Sequence, residues 1–324
     1  MKTVWPRAAS AGGNEVIYTV TLNPALDKTV EIPDFTLDAV NRITTLRTDP
    51  GGKGLNVSKV IQKLGGTSTA IGVLGGTTGR RIADAMDALG VQTDFTFVEG
   101  ETRTNLKVVD PARHTNTDLN EPGLTVTQDV LDGMLAALTA KIQPGDIVVL
   151  SGSLPKGAPA DTYGTWTVAC GKAGARVFLD ADGEALHHGL ASKPYLAKPN
   201  NHELSRLTGR TLDTVDSLLA AARDMIAGGV ERVVVSMGGD GALFVSADAA
   251  YRAEGLKVPV GSTVGAGDSM VAALAYAAEY GLDEAATVVL AVATSAANVM
   301  CSGSQAAKRS AIDELLPRVI WHAL

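Results

Sequence analysis

Short apolar, β-branched runs alternate along this chain with longer stretches whose apolar residues recur at helical spacing. Residues 16–22 (VIYTVTL), closed by Asn23-Pro24, predict the first strand. Residues 69–74, 146–150 (DIVVL), 176–179 and 232–236 (RVVVS) predict further buried strands. Between them, residues 55–64, 80–89, 126–140, 160–172 and 215–227 carry helical periodicity. Strands that alternate with helices build βαβ units, so the pattern predicts an α/β fold with a mainly parallel sheet covered by helices on both faces.

Two segments break the alternation. Residues 28–32 with 42–48, and 93–98 with 105–109 and 116–120, predict strands with no helix between them. Together they predict a small antiparallel sheet beside the main body, built from about 28–48 and 93–120. A projecting sheet that ends at a site behaves as a lid; the plainer alternative is a set of edge hairpins. Residues 1–15, with an Ala-Ala-Ser-Ala-Gly-Gly stretch, read as a flexible leader, and residues 16–324 as one domain.

Composition narrows the function. The net charge of −7 and the 4% aromatic content weigh against a nucleic-acid surface or an anionic-membrane surface. Cys170 and Cys301 are too few and too far apart for a disulfide framework or a metal knuckle. His187-His188 point in different directions on a helix, and His114 and His202 lack partners at ligand spacing. The sequence has no run of 18 apolar residues, so the expectation is a soluble, cytoplasmic protein.

The most informative chemistry lies at residues 263–269 (TVGAGDS), directly before an Ala-rich apolar run. A glycine-rich turn that opens a helix presents unpaired N–H groups at the positive end of the helix dipole, an anion site. Asp268 on that turn suits a carboxylate that takes a proton from an attacking hydroxyl while the Gly265, Ala266 and Gly267 amides hold a phosphoryl group. Asp268 as a simple helix cap is the alternative.

Six motifs in order then resemble the ribokinase-like (PfkB) carbohydrate kinase family, from about residue 17 to the C-terminus. They are Asn23-Pro24-Ala25-Leu26-Asp27, Gly51-Gly52-Lys53-Gly54-Leu55-Asn56, Ser151-Gly152-Ser153-Leu154-Pro155, Lys198-Pro199-Asn200 with Glu203, residues 236–241 (SMGGDG), and residues 263–268. Thr102-Arg103-Thr104-Asn105-Leu106-Lys107 and the Asn120-Glu121-Pro122-Gly123 stretch resemble the phosphosugar kinases, 1-phosphofructokinases most of all, as does Lys53 within its glycines. Members typically continue Asn-Glu-Pro-Gly with proline, where this chain has Leu124.

The resemblance implies a ribokinase-like fold, ATP and Mg2+, and a sugar-phosphate acceptor; the open edge of the small sheet, a liability unless covered, predicts a homodimer paired through the β lid. On the acceptor side it implies Asp27, Gly51, Gly52, Asn56 and Ser151 around the sugar, with Arg42, Lys53, Arg103 and Lys107 toward the phosphate it already carries. On the donor side it implies Lys198, Asn200, Ser236, Gly238, Gly241 and Thr263 at the nucleotide phosphates and ribose, and Asn298 near the adenine. Glu203 would hold hydrated magnesium through water. The reaction implied is phosphorylation of fructose 1-phosphate to fructose 1,6-bisphosphate, with tagatose 6-phosphate and fructose 6-phosphate as competing acceptors.

Other classes fit less well. A silent sugar-phosphate sensor on the same fold would not need Asp268 and both glycine signatures. The glycines of residues 72–79 (GVLGGTTG) fall outside the dinucleotide register, and no Gly-x-Ser-x-Gly elbow is present.

Overall fold

The computed structural model describes residues 15–324; the expected leader, apart from Glu15, lies outside the described residues. The chain opens with β1 (Ile17–Thr21), β2 (Ala25–Glu31) and β3 (Thr45–Gly51), followed by α1 (Lys53–Leu64). Then come β4 (Thr69–Gly75), α2 (Gly76–Ala88), β5 (Gln92–Val98), β6 (Thr104–Asp110) and β7 (Thr115–Asn120). The middle of the chain is α3 (Gln128–Thr139), β8 (Ile147–Ser151), α4 (Thr162–Lys172), β9 (Arg176–Asp180), α5 (Gly183–Ala191), β10 (Leu196–Ala197) and α6 (Asn201–Thr208). It continues through α7 (Val215–Ala227), β11 (Arg232–Ser236), β12 (Ala242–Ser246) and β13 (Ala250–Ala253). It closes with α8 (Ala266–Glu279), α9 (Glu284–Val299), α10 (Arg309–Leu315) and β14 (Trp321–Ala323).

Ten strands form one sheet in the order β14-β13-β12-β11-β10-β9-β8-β1-β4-β5. Strands β11 through β5 in that order pair parallel, and β12, β13 and β14 add an antiparallel edge. The central strands of this sheet are buried on both faces, so side chains along one strand divide between two cores. In β8, Ile147 and Val149 join α1, α8 and α9 through Val57, Leu274 and Val288, while Val148 and Leu150 join Tyr163 and Trp166 of α4. This packing brings the carboxyl ends of the parallel strands to one rim, where α/β sheets bind ligands.

The small sheet exists, in the order β3-β2-β6-β7. Its outer pairings, β2–β3 and β6–β7, are antiparallel, and the central β2–β6 pairing is parallel. Residues 93–98 are a correction: they lie in β5, which pairs parallel with β4 at the edge of the main sheet. The helix at 76–88 precedes them, so β4-α2-β5 is a complete βαβ unit whose last strand returns to the main sheet. Residues 42–44 lie outside β3, which runs on through Pro50 to Gly51. Leu124, the departure from the family pattern, is buried in the core cluster of Val20, Ile71 and Leu131, which accounts for an apolar residue there.

Candidate active site

Gly265 takes the N-cap position of α8 with φ 79°, a left-handed conformation suited to glycine. Asp268 sits in the first turn and makes no capping bond. It is 6% exposed, and its Oδ2 accepts a hydrogen bond from Asn56 Nδ2 at 2.7 Å. Asp268 therefore does not cap the helix through a side-chain hydrogen bond. The bond from Ser269 N to Gly265 O (2.8 Å) opens the helix, and the Gly267 and Asp268 amides precede it. Asn298, buried near the end of α9, donates from Nδ2 to Val264 O at 3.1 Å and so pins the turn.

Beneath that turn lies a buried carboxylate the sequence reading missed. Asp180, at the carboxyl end of β9, is 1% exposed and pairs through Oδ1 with Lys53 Nζ (3.2 Å) and Lys198 Nζ (3.3 Å). A Cβ built on Gly267 would come 3.2 Å from Lys198 Nζ, so this ammonium borders the glycine turn. Burial opposes the charge of Asp180, but Lys198 and Lys53 outweigh it and hold the carboxyl below its ordinary range. Asp268 is shifted the other way: burial first, and then the negative charge of Asp180, push its pKa up against the pull of Lys53, Asn56 and Lys198. Lys53 is held above its ordinary value, since Asp180, Asp268 and Glu203 outweigh its desolvation.

The small sheet supplies the opposite wall. Asp27 on β2 accepts from Asn105 Nδ2 of β6 at 3.1 Å, and its burial raises its pKa. Gly51 is required here, because a Cβ at that position would overlap the Asp27 carboxylate. At Gly52, with φ 119°, a Cβ would stand 2.7 Å from Thr21 Cγ2. Arg103 is held by main-chain carbonyls, Nη2 to Asn23 O at 3.0 Å and Nη1 to Glu121 O at 3.3 Å, and forms no salt bridge among the described residues. Lys107 pairs with Asp118 at 3.5 Å. Among the described residues the side-chain oxygens Asn56 Oδ1 and Asn105 Oδ1 are buried without partners, two acceptors ready for hydroxyl donors.

These groups surround one cleft of about 450 Å³, with Asp27, Lys53, Asn56, Arg103, Lys107 and Asp268 all on its lining. Other expected residues fall elsewhere. Arg42 is exposed on the loop before β3 and does not line the cleft, because the strand that reaches the site begins three residues later. Ser151 is fully buried under the floor, and its neighbours Gly152 and Ser153 face the cleft instead. Asn200 and Glu203 form a reciprocal capping box on α6: Asn200 Oδ1 accepts from Glu203 N and Glu203 Oε2 from Asn200 N, both at 2.8 Å. Ser236 ends β11 next to Asn200, and Gly238 and Gly241, both at positive φ, shape the turn that follows. Thr263 is exposed at the start of the glycine turn.

Asp180 carried one usable signal, an acidic residue closing a buried strand on the ligand-binding rim. Gly303 and Ser304, also on the cleft, gave none, since only the fold brings the loop after α9 to β2 and β3.

The chain resembles known proteins along most of its length. The sequence pattern of the pfkB family carbohydrate kinases matches residues 20–311. A 1-phosphofructokinase of Rhodobacter capsulatus is 45% identical over 280 residues, 86% of this chain and 89% of that protein. A 1-phosphofructokinase of Bacillus subtilis is 40% identical, covering 79% of this chain and 84% of that one. Phosphofructokinase-2 from Escherichia coli, solved in complex with fructose-6-phosphate, superposes with a TM-score of 0.88 at 32% identity, over 94% of this chain and 99% of its own.

Proposed function

Because the chain belongs to the pfkB family of carbohydrate kinases, we propose that it transfers the γ-phosphoryl group of ATP to fructose 1-phosphate, giving fructose 1,6-bisphosphate. One observation carries the reading: a buried carboxylate, Asp268, opens helix α8 on the same cleft as Asp27 and Arg103. Phosphoryl transfer asks a protein mainly for positioning and for charge stabilisation. Asp27 and the free Asn105 and Asn56 oxygens accept from sugar hydroxyls, while Arg103 and Lys107 meet the phosphate the sugar already bears. Asp268 accepts the proton of the attacking hydroxyl, and the α8 amides with Lys198 and Lys53 stabilise the transferring group.

On the donor side, Lys198, Asn200, Ser236, Gly238, Gly241 and Thr263 face the nucleotide, and Asn298 acts by holding the glycine turn. Mg2+ fits the residues present: Asp180 Oδ2 is a buried oxygen without a partner, and Glu203 adds a second carboxylate near Lys53. Among the described residues no group of three or more His, Cys, Asp or Glu is poised as a metal cage. Asp180 and Glu203 would hold Mg2+, and its chemistry there is to neutralise charge on the phosphates.

The small sheet acts as the lid, closing when the sugar phosphate gives Arg103 an anionic partner, and two lids pair to make a homodimer. Among the described residues no helix is long and apolar enough to cross a membrane.

Fructose 6-phosphate is the second reading, favoured by the fold match to the E. coli enzyme solved with that sugar. A coupled ADP-release assay across fructose 1-phosphate, fructose 6-phosphate, tagatose 6-phosphate and free fructose separates them. The highest kcat/KM on fructose 1-phosphate is expected. A preference for another phosphosugar would move the assignment within the family, and no ADP release with any acceptor would remove it.

A further inference from the structure

Lys59 lies on α1, one turn beyond Asn56, and is only 6% exposed. Its ammonium donates to two main-chain carbonyls far apart in sequence, Pro50 O at 2.7 Å and Ser304 O at 2.9 Å. Pro50 is the penultimate residue of β3, directly before the Gly51-Gly52 turn that joins the small sheet to the main body. Ser304 lies between α9 and α10 and lines the cleft with Gly303. Arg47 ties the same two parts together on the outside, with Nη2 donating to Ser302 O and Nε to Asp49 Oδ2, each at 2.6 Å.

The charged groups that face Lys59 are Asp27 on β2, Asp49 and Arg47 on β3, and Asp268 on α8. None of the carboxylates stands within ion-pair distance of it, so its charge is desolvated and acts on them through the low-dielectric interior. That charge opposes the burial that raises the pKa of Asp27.

Resting on the kinase reading above, we propose that Lys59 is the positioning residue of the acceptor subsite. Its buried ammonium fastens the small-sheet hinge at Pro50 to the loop at Ser304, and so holds the wall that carries Asp27 in place against the cleft. Lys59 touches neither substrate. Its loss therefore falls on the acceptor and spares the nucleotide, whose side of the site is built from α6, β11 and the glycine turn.

Burial lowers the pKa of Lys59 to about 8, the carboxylates around it recovering only part of the shift. Below that pH the ammonium is charged; above it the neutral amine makes weaker bonds to Pro50 O and Ser304 O, and the fastening loosens. The acceptor KM of the wild-type protein should therefore rise through about pH 8. In Lys59→Arg, which stays charged, the rise should be absent.

The experiment measures the KM of both substrates from pH 6.5 to 9.5, a range set around about pH 8, for wild type, Lys59→Met and Lys59→Arg. Lys59→Met is expected to raise the acceptor KM by about tenfold or more, the scale of a lost charge-assisted contact. Its ATP KM should stay within about twofold, and Lys59→Arg should recover most of the acceptor loss. Equal weakening of both substrates, or an unchanged alkaline rise in Lys59→Arg, overturns the proposal. The Lys59→Arg arm stands alone should Lys59→Met not fold.

Hydrogen exchange gives a readout independent of turnover. Amides of residues 45–51 and 300–305 should exchange faster in Lys59→Met, and unchanged exchange overturns the fastening. A wild-type protein that turns over no acceptor would overturn the kinase reading while leaving that exchange comparison intact.

Discussion

At the residue scale the site is a problem of buried charge. Asp268 must be ionised to accept a proton, yet burial and the adjacent Asp180 both favour its neutral form. The sign follows directly: as pH falls through the raised pKa, Asp268 gains a proton and stops acting as a base. The acid limb of the kcat profile should therefore lie above the ordinary aspartate range of 3.8, and a limb at or below that value would contradict the role.

Asp180 is the opposite case. Its pKa is depressed, so it contributes stability above the unfolded-state pKa and loses it as pH falls through the lower folded-state value. Asp180→Asn leaves two lysines without their carboxylate and should destabilise the fold by about 3–5 kcal/mol in urea unfolding. A loss under about 1 kcal/mol would mean that solvent already screens the pair.

Asp268, Asp27 and Arg103 were legible in the sequence because each sits inside a motif whose glycines or turns announce a site. Asp180 was not, because a strand ending in Asp looks like many others until its two lysines arrive from α1 and from just past β10. Arg42 misled for a related reason: a cation on the right segment still has to fall on the strand and not on the loop before it. Lys59 hid as one more charge on an amphipathic helix, although the fold buries it.

At the element scale, alternating strands and helices were read to within a few residues, since burial on both faces leaves long apolar runs with clear breaks. The error at residues 93–98 came from treating a strand by its neighbours downstream. Its helix lies upstream, and the pairing with β4 runs the length of the strand from Thr69↔Gln92 to Gly75↔Val98. The small sheet that remains holds itself by a thin layer of Val30, Ile32 and Val108 and rests on the body through Leu26. Such a layer opens at low cost, as a lid requires. Hydrogen exchange in β2, β3, β6 and β7 should slow when fructose 1-phosphate is added, while β5, anchored in the main sheet, should not change. Equal protection of β5 and the small sheet would indicate general tightening and no lid.

At the scale of the whole molecule, the small sheet also presents an outer face that a monomer leaves bare. Leu46 and Leu119 are 57% and 55% exposed, and every residue of β7 is exposed at the sheet edge. Open edges and apolar faces are commonly covered by a partner. Sedimentation at micromolar protein should give a dimer that Leu119→Glu weakens; a wild-type monomer would exclude lid pairing. A pairing of this kind is not legible in residue periodicity, because a strand exposed in one chain carries the same pattern whether water or a second copy covers it.

The central claim is that Asp268 takes the acceptor's proton during phosphoryl transfer, and Asp268→Asn tests it most directly. The variant keeps the shape of the side chain on α8, so ATP affinity measured by calorimetry should stay near wild type. The kcat with fructose 1-phosphate should fall by at least about 10²-fold, the scale of a lost general base. Near-normal turnover with intact ATP binding would contradict the account.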